Sequence, residues 1–64
     1  MEDAYEVVAL SSYDAQRDDQ LSFEKGDSLI ILDDYNKIRG WHFASDSKGK
    51  KGMVPSTHVL RLKR

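Results

Sequence analysis

Gly40-Trp41-His42-Phe43-Ala44 holds the chain's one tryptophan and stands between two turn-rich segments. Aromatic residues suit a pleated, half-buried strand, and a period of two puts Trp41 and Phe43 on one face with His42 and Ala44 on the other. Small Ala44 then points inward and Trp41 outward. An outward tryptophan in a small domain needs a reason, because large aromatics supply much of the contact energy where a protein meets a partner. The competing reading makes Trp41 the core anchor, since tryptophan is commonly well buried. The choice depends on whether a core closes without it.

Outward from this strand, the flanking residues read as short strands and turns. On the C-terminal side, 45–51 is a hairpin connection and Gly52-Met53-Val54 a return strand. Pro55 cannot donate to a ladder, so that strand stops or becomes an edge there. Ser56-Thr57-His58 suits one 3-10 turn, and 59–62 a last strand. On the N-terminal side, 33–40 is a polar loop, and Leu29 and Ile31 are the inward residues of a strand ending at Asp33-Asp34. Lys25-Gly26-Asp27 reverses the chain. Before it, Leu21 and Phe23 alternate with Ser22 and Glu24. The stretch 11–20 is a long polar loop carrying Tyr13, and long loops in compact domains usually have a function. Val7 and Ala9 are the inward pair of a first strand, and residues 1–6 form a polar lead-in expected to fray.

No helix-period segment and no internal repeat is found, which leaves five or six short strands with turn signals between them, and the fold class is all-β: a small barrel with one 3-10 turn. Its expected core is Val7, Ala9, Leu21, Phe23, Leu29, Ile31, Ala44, Val54 and Val59. That set needs no Trp or Tyr. Tyr13, Tyr35, Trp41 and Phe43 therefore stay mostly outside, which favours Trp41 as a contact residue. The domain is expected over 7–62, with 63–64 a basic end.

At 64 residues the chain is near the lower limit for unstapled folding, where about 60% of the unfolded surface is buried. It has no cysteine, which removes disulfides, thiol nucleophiles and thiolate metal sites, and fits a reducing compartment. A cytoplasmic location is expected. Apolar runs are too short to span a membrane, and nothing resembles a signal peptide. The net charge of -1 conceals an asymmetry: residues 1–34 hold ten acids against two bases, and 35–64 hold eight bases against one acid. The split either holds two halves of one fold together or gives an acidic and a basic face separate partners.

Three stretches carry a resemblance that covers 7–62. Ala9-Leu10-Ser11-Ser12-Tyr13-Asp14-Ala15-Gln16, Asp18-Asp19-Gln20-Leu21-Ser22-Phe23-Glu24-Lys25-Gly26-Asp27 and Gly52-Met53-Val54-Pro55-Ser56-Thr57-His58-Val59, with Gly40-Trp41 between the last two, resemble a Src homology 3 (SH3) domain. The resemblance implies a non-catalytic module of a signalling, adaptor or cytoskeletal protein that binds proline-rich PxxP-type segments containing Arg or Lys. Such segments have a preformed polyproline II backbone that suits a groove between aromatic rings. It also implies a five-stranded, partly opened barrel in which 12–20 is an acidic specificity loop, 33–40 a second rim loop and 45–51 a distal hairpin. Tyr13, Trp41 and Pro55 match groove positions, and Asp18 and Asp19 match acids that pair with a ligand cation. Asp33 and Asp34 could assist from the opposite loop. Gln20 occupies a slot often held by an acid, and a bidentate Arg contact would be stronger than a Lys contact.

The departures concern the same groove. Ser11 stands where the family's first groove tyrosine is expected, His58 where the last one is, Met53 where an aromatic is frequent and His42 where a second tryptophan is frequent. The resemblance implies that the pocket between Ser11 and His58 is shallow and polar, while the pocket of Tyr13, Trp41 and Pro55 survives. For His58 the bland reading, a half-exposed residue without special role, outweighs that of a groove wall able to take a proton near neutral pH. Ser11 reads as a surface hydroxyl.

An enzyme is not expected: His42 and His58 stand alone, and so small a core leaves no substrate pocket. No catalytic residue, metal or cofactor is expected. Gly49-Lys50-Lys51-Gly52 lacks the glycine spacing and strand-to-helix context of a phosphate loop. A second class of function is anionic-lipid, phosphoinositide or RNA binding through Lys48, Lys50, Lys51, Arg61, Lys63 and Arg64. Overall acidity and a missing stacking platform argue against nucleic acid, and membrane contact would be weak. A third is a methyl-lysine reader with Tyr13, Trp41 and acids as a cage, which the Val54-Pro55-Ser56 element does not favour. A monomer binding a proline-rich segment or a folded protein surface is the leading expectation.

Overall fold

The computed structural model describes residues 4–33 and 40–62. Its strands are β1 (Tyr5–Ala9), β2 (Ser28–Asp33), β3 (Trp41–Ser45), β4 (Lys51–Pro55) and β5 (Val59–Arg61), with a 3-10 turn at Ser56–His58. They pair antiparallel in the order β4-β3-β2-β1-β5 and curl into a half-barrel. No helix among the described residues is long and apolar enough to cross a membrane.

Alternation along the strands gathers Val7, Ala9, Leu21, Phe23, Leu29, Ile31, Ala44 and Val54 into one buried cluster. Fully burying a Leu, Ile or Val side chain contributes roughly 1.5–3 kcal/mol, and five such residues here expose almost nothing. Val59 was expected among them and is half-buried, packing on the cluster with Tyr5 and Tyr13. The physical reason is its place on β5, at the end of the strand order, where it pairs with Ala9 on one side.

β1 begins at Tyr5, ahead of the Val7 start that residue polarity suggested. Tyr5 pairs with Ile31 and Glu6 with Ile30, so the length of β2 offers partners to both. The Arg61 guanidinium lies over the Tyr5 ring, 4.0 Å from its centroid, and the Leu62 amide donates to the Glu6 carbonyl at 3.0 Å. Tyr5 and Glu6 are thus residues of β1. At the C-terminal end of β2, where Tyr5 pairs with Ile31, the pairing with β3 shifts register between Ile31 and Asp33. Asp34 and Tyr35 lie outside the described residues, as does the side chain of Asp33.

The 10–27 segment closes the open side of the sheet. Tyr13 and Phe23 exchange two backbone hydrogen bonds, of 2.9 and 3.0 Å, making the segment an irregular hairpin. That hairpin docks on β4: the Leu21 amide donates to the Met53 carbonyl at 3.0 Å, and the Met53 amide to the Asp19 carbonyl at 2.7 Å. Next to Met53 lies Gly52, where a Cβ would stand only 3.0 Å from the Asp19 oxygen and 3.1 Å from the Gln20 carbonyl carbon. Glycine is there because backbone meets backbone.

Candidate ligand groove

Trp41 opens β3 directly after Gly40, whose φ of 85° lies in the left-handed region that glycine enters without strain. The Gly40 carbonyl accepts the Ser56 amide at 2.7 Å, which ties the 3-10 turn to the start of the tryptophan strand. His58 is thereby carried to the same end of the barrel as Trp41 and Tyr13. Trp41 is half-buried, Phe43 on the same face is exposed and Ala44 is fully buried, as alternation predicts.

Tyr13 is the centre of the aromatic cluster. Its ring centroid lies 5.5 Å from His58, 5.9 Å from Trp41 and 5.9 Å from Phe23, the first two in edge-to-face geometry, a preferred arrangement for aromatic pairs. His58 also meets Phe23 edge-on at 6.5 Å, and its Nδ1 is 3.1 Å from the Thr57 hydroxyl. Pro55 is buried opposite Trp41 in the β3–β4 ladder, a floor more than a wall. Ser11 is exposed and contributes no ring surface.

The hairpin that carries Tyr13 is fastened by its own side chains. The Gln20 Oε1 accepts the Tyr13 hydroxyl at 2.9 Å and the Gln16 amide at 2.7 Å. Ser22 Oγ accepts the Ala15 amide at 2.9 Å, and Ser12 Oγ the Lys25 amide at 3.2 Å. At the tip, the Gln20 amide reaches the Arg17 carbonyl at 3.1 Å, so Asp18 and Asp19 are the central residues of a turn and both are exposed.

Beside the rings lies a depression of about 190 Å³ lined by Arg17, Asp19, Gln20, Trp41 and Met53. It brings together Trp41, Met53 and Asp19 from the sequence-predicted set. Asp18 lies outside it and lines a neighbouring depression. Sequence reading missed Arg17 as a lining residue; its place in an otherwise acidic loop was the available signal. Charge counting also missed that Gln20 is a fastener of Tyr13, which only the folded hairpin reveals. A larger hollow, about 500 Å³, lies between the turns at 26–29 and 46–48 and contains none of the groove residues. Its carboxylates already serve their own turns: Asp27 accepts the Glu24 amide, and Asp46 those of Lys48 and Lys50.

Among the described residues, the basic positions of the anion-binding alternative belong to two different elements. Lys48, Lys50 and Lys51 are exposed on the β3–β4 hairpin, whereas Arg61 belongs to β5 at the opposite end of the strand order and lies over Tyr5. Lys63 and Arg64 lie outside the described residues.

The SH3-domain family model matches residues 8–56. The chain belongs to the SH3 family. SH3 domains are non-catalytic protein-interaction modules found in adaptor and signalling proteins. Among relatives of this SH3 domain, the SH2/SH3 adapter protein dreadlocks of Drosophila melanogaster is 41% identical over 56 residues, covering 88% of this chain and 10% of the relative. Human nostrin is 46% identical over 54 residues, covering 84% and 10% respectively. The chain thus spans about a tenth of the length of these curated relatives. The C-terminal SH3 domain of myosin IB from Entamoeba histolytica, solved bound to a peptide designated EhFP10(GEF), superposes with a TM-score of 0.84 at 33% identity, covering 98% of this chain and all of that one.

Proposed function

We propose that this SH3 domain docks an extended, proline-rich peptide segment carrying an Arg or Lys, across Tyr13, His58 and Trp41 and toward the acidic tip of the 10–27 hairpin. One observation carries the reading: the half-buried Trp41 indole borders both the Tyr13 ring and a depression containing Asp19. An apolar ring face next to a carboxylate suits a ligand that places prolines beside a cation. Tyr13, Trp41, Met53, Pro55 and His58 form the groove in this reading, with Ser11 at its edge. Asp18 and Asp19 supply the charge, and Asp33 and Asp34 assist from the other rim. The parent would be a cytoplasmic signalling, adaptor or cytoskeletal protein, in keeping with relatives such as dreadlocks and the actin cytoskeleton-regulatory complex protein SLA1 of Yarrowia lipolytica. The domain would act as a monomer.

The test is a panel of PxxP peptides with and without Arg, followed through backbone amide and Trp41 indole chemical shifts. Shifts should concentrate at Tyr13, 17–20, Trp41, Met53 and His58. Trp41→Ala should keep the fold, because the buried cluster closes without it, while weakening binding by about 2 kcal/mol. An unfolded variant, or shifts confined to the far hollow, would defeat the assignment.

A further inference from the structure

A second depression, about 370 Å³, adjoins the first and is lined by Ala15, Gln16, Arg17, Asp18, Gln20 and Lys50. Arg17 and Gln20 line both. The second is rich in hydrogen-bond donors: a guanidinium, an ammonium and a Gln20 amide whose orientation is fixed. The Gln16 backbone N–H can only donate, so the Gln20 atom it meets is the oxygen. The Gln20 NH₂ is therefore the end left to meet a ligand. Among the described residues neither Arg17 nor Lys50 forms an ion pair, although Asp18 lines the same depression. Two cations face a space whose single carboxylate engages neither.

We propose that this depression receives a carboxylate side chain of the peptide partner, an Asp or Glu placed beyond the residue that meets Asp19 and Trp41. The proposal rests on the groove reading above and deepens it. Arg17 would supply a planar pair of donors and Lys50 a second positive charge, with the Gln20 NH₂ as a neutral donor between the two depressions. The preferred ligand is then a proline-rich segment followed by charges of both signs, the cation toward Asp19 and the anion toward Lys50. Asp18 opposes the anion, so its removal should strengthen this contact even as it weakens the pull on a cation.

The experiment uses one proline-rich, Arg-containing peptide and a series of derivatives. A single Glu or Gln is placed at successive positions beyond the Arg, and each is titrated calorimetrically at low ionic strength. At one position Glu should bind wild type about three- to fivefold more tightly than Gln, the size of one well-made exposed charge pair. Lys50→Gln should abolish that gain while leaving the Gln peptide's affinity unchanged, because Lys50 lines only the second depression. Arg17→Gln should also remove the gain, and Asp18→Asn should enlarge it. Equal affinities for Glu and Gln at every position, or a gain that survives Lys50→Gln, overturn the proposal and leave the groove reading standing. If the Gln peptides themselves do not bind wild type, the groove reading falls and this proposal with it.

Discussion

Gly52→Ala tests how the barrel is closed. The added methyl would stand 3.0 Å from the Asp19 carbonyl oxygen, 3.1 Å from the Gln20 carbonyl carbon and 3.2 Å from Leu21 Cγ. Two of these neighbours are backbone atoms, and neither can rotate aside. Overpacking of this kind costs about 1–3 kcal/mol. Relief by moving the hairpin outward would stretch the two bonds that the adjacent Met53 makes to it, Met53 N to Asp19 O and Leu21 N to Met53 O, each contributing about 0.5–1.5 kcal/mol. Against this, alanine restricts the unfolded chain and returns about 0.4–1 kcal/mol. The net expectation is a loss of roughly 1–3 kcal/mol, since overpacking and bond stretching are alternative routes of relief and do not add in full. For a domain of this size each kcal/mol lowers Tm by about 4–8 °C. Urea unfolding followed by Trp41 fluorescence measures the loss, and amide shifts should concentrate at 19–21 and Met53. A variant as stable as wild type, or shifts spread elsewhere, would refute the claim that backbone contact at Gly52 holds the hairpin on β4.

Three further outcomes follow from the groove. Asp18→Asn with Asp19→Asn should weaken an Arg-containing peptide by about 0.2–1 kcal/mol for each exposed pair lost, and wild-type affinity should fall as salt rises; salt-independent binding measured by calorimetry would count against it. Gln20→Glu should fold normally, because a carboxylate oxygen can accept the same Tyr13 hydroxyl and Gln16 amide, and should tighten a basic peptide while weakening one with an acidic flank. Ser11→Tyr with His58→Tyr should add about 1–2 kcal/mol of affinity for an ordinary PxxP peptide if each ring regains a typical aromatic contact. Wild-type binding as tight as the double variant's would mean that the Tyr13–His58 pair already supplies what the missing tyrosines would.

The core was legible because a strand's period of two is a local property: eight of the nine residues picked by alternation are the buried cluster, and the ninth touches it. The 3-10 turn was equally legible, since Pro55 ends the ladder and only three residues separate it from the next apolar pair. What the sequence could not display were contacts between residues far apart along the chain. Tyr5 looked like part of a polar lead-in until β2 and Arg61 supplied its partners. Tyr13 was placed as one groove residue among several, whereas its three ring neighbours come from the same hairpin, from β3 and from the 3-10 turn. Gly52 read as an ordinary strand residue because its crowding comes from a loop thirty residues upstream, roughly the separation at which local pattern carries no information.

The placement of Gln20 links stability to recognition. One oxygen accepts from Tyr13, at the centre of the ring cluster, and from the Gln16 backbone near the tip that presents Asp18 and Asp19. The residue also bridges to Met53 on β4 and lines both depressions. Any displacement of the hairpin therefore moves the apolar and the charged parts of the groove together. The long loop earns its length on this view: a shorter connection between β1 and β2 would join the strands but would neither cover the open side of the sheet nor bring a carboxylate beside Trp41. Closure of the barrel and construction of the groove are the same set of contacts, so loop substitutions chosen to alter ligand preference should be judged first by whether the Gln20 bonds and the Gly52 approach are kept.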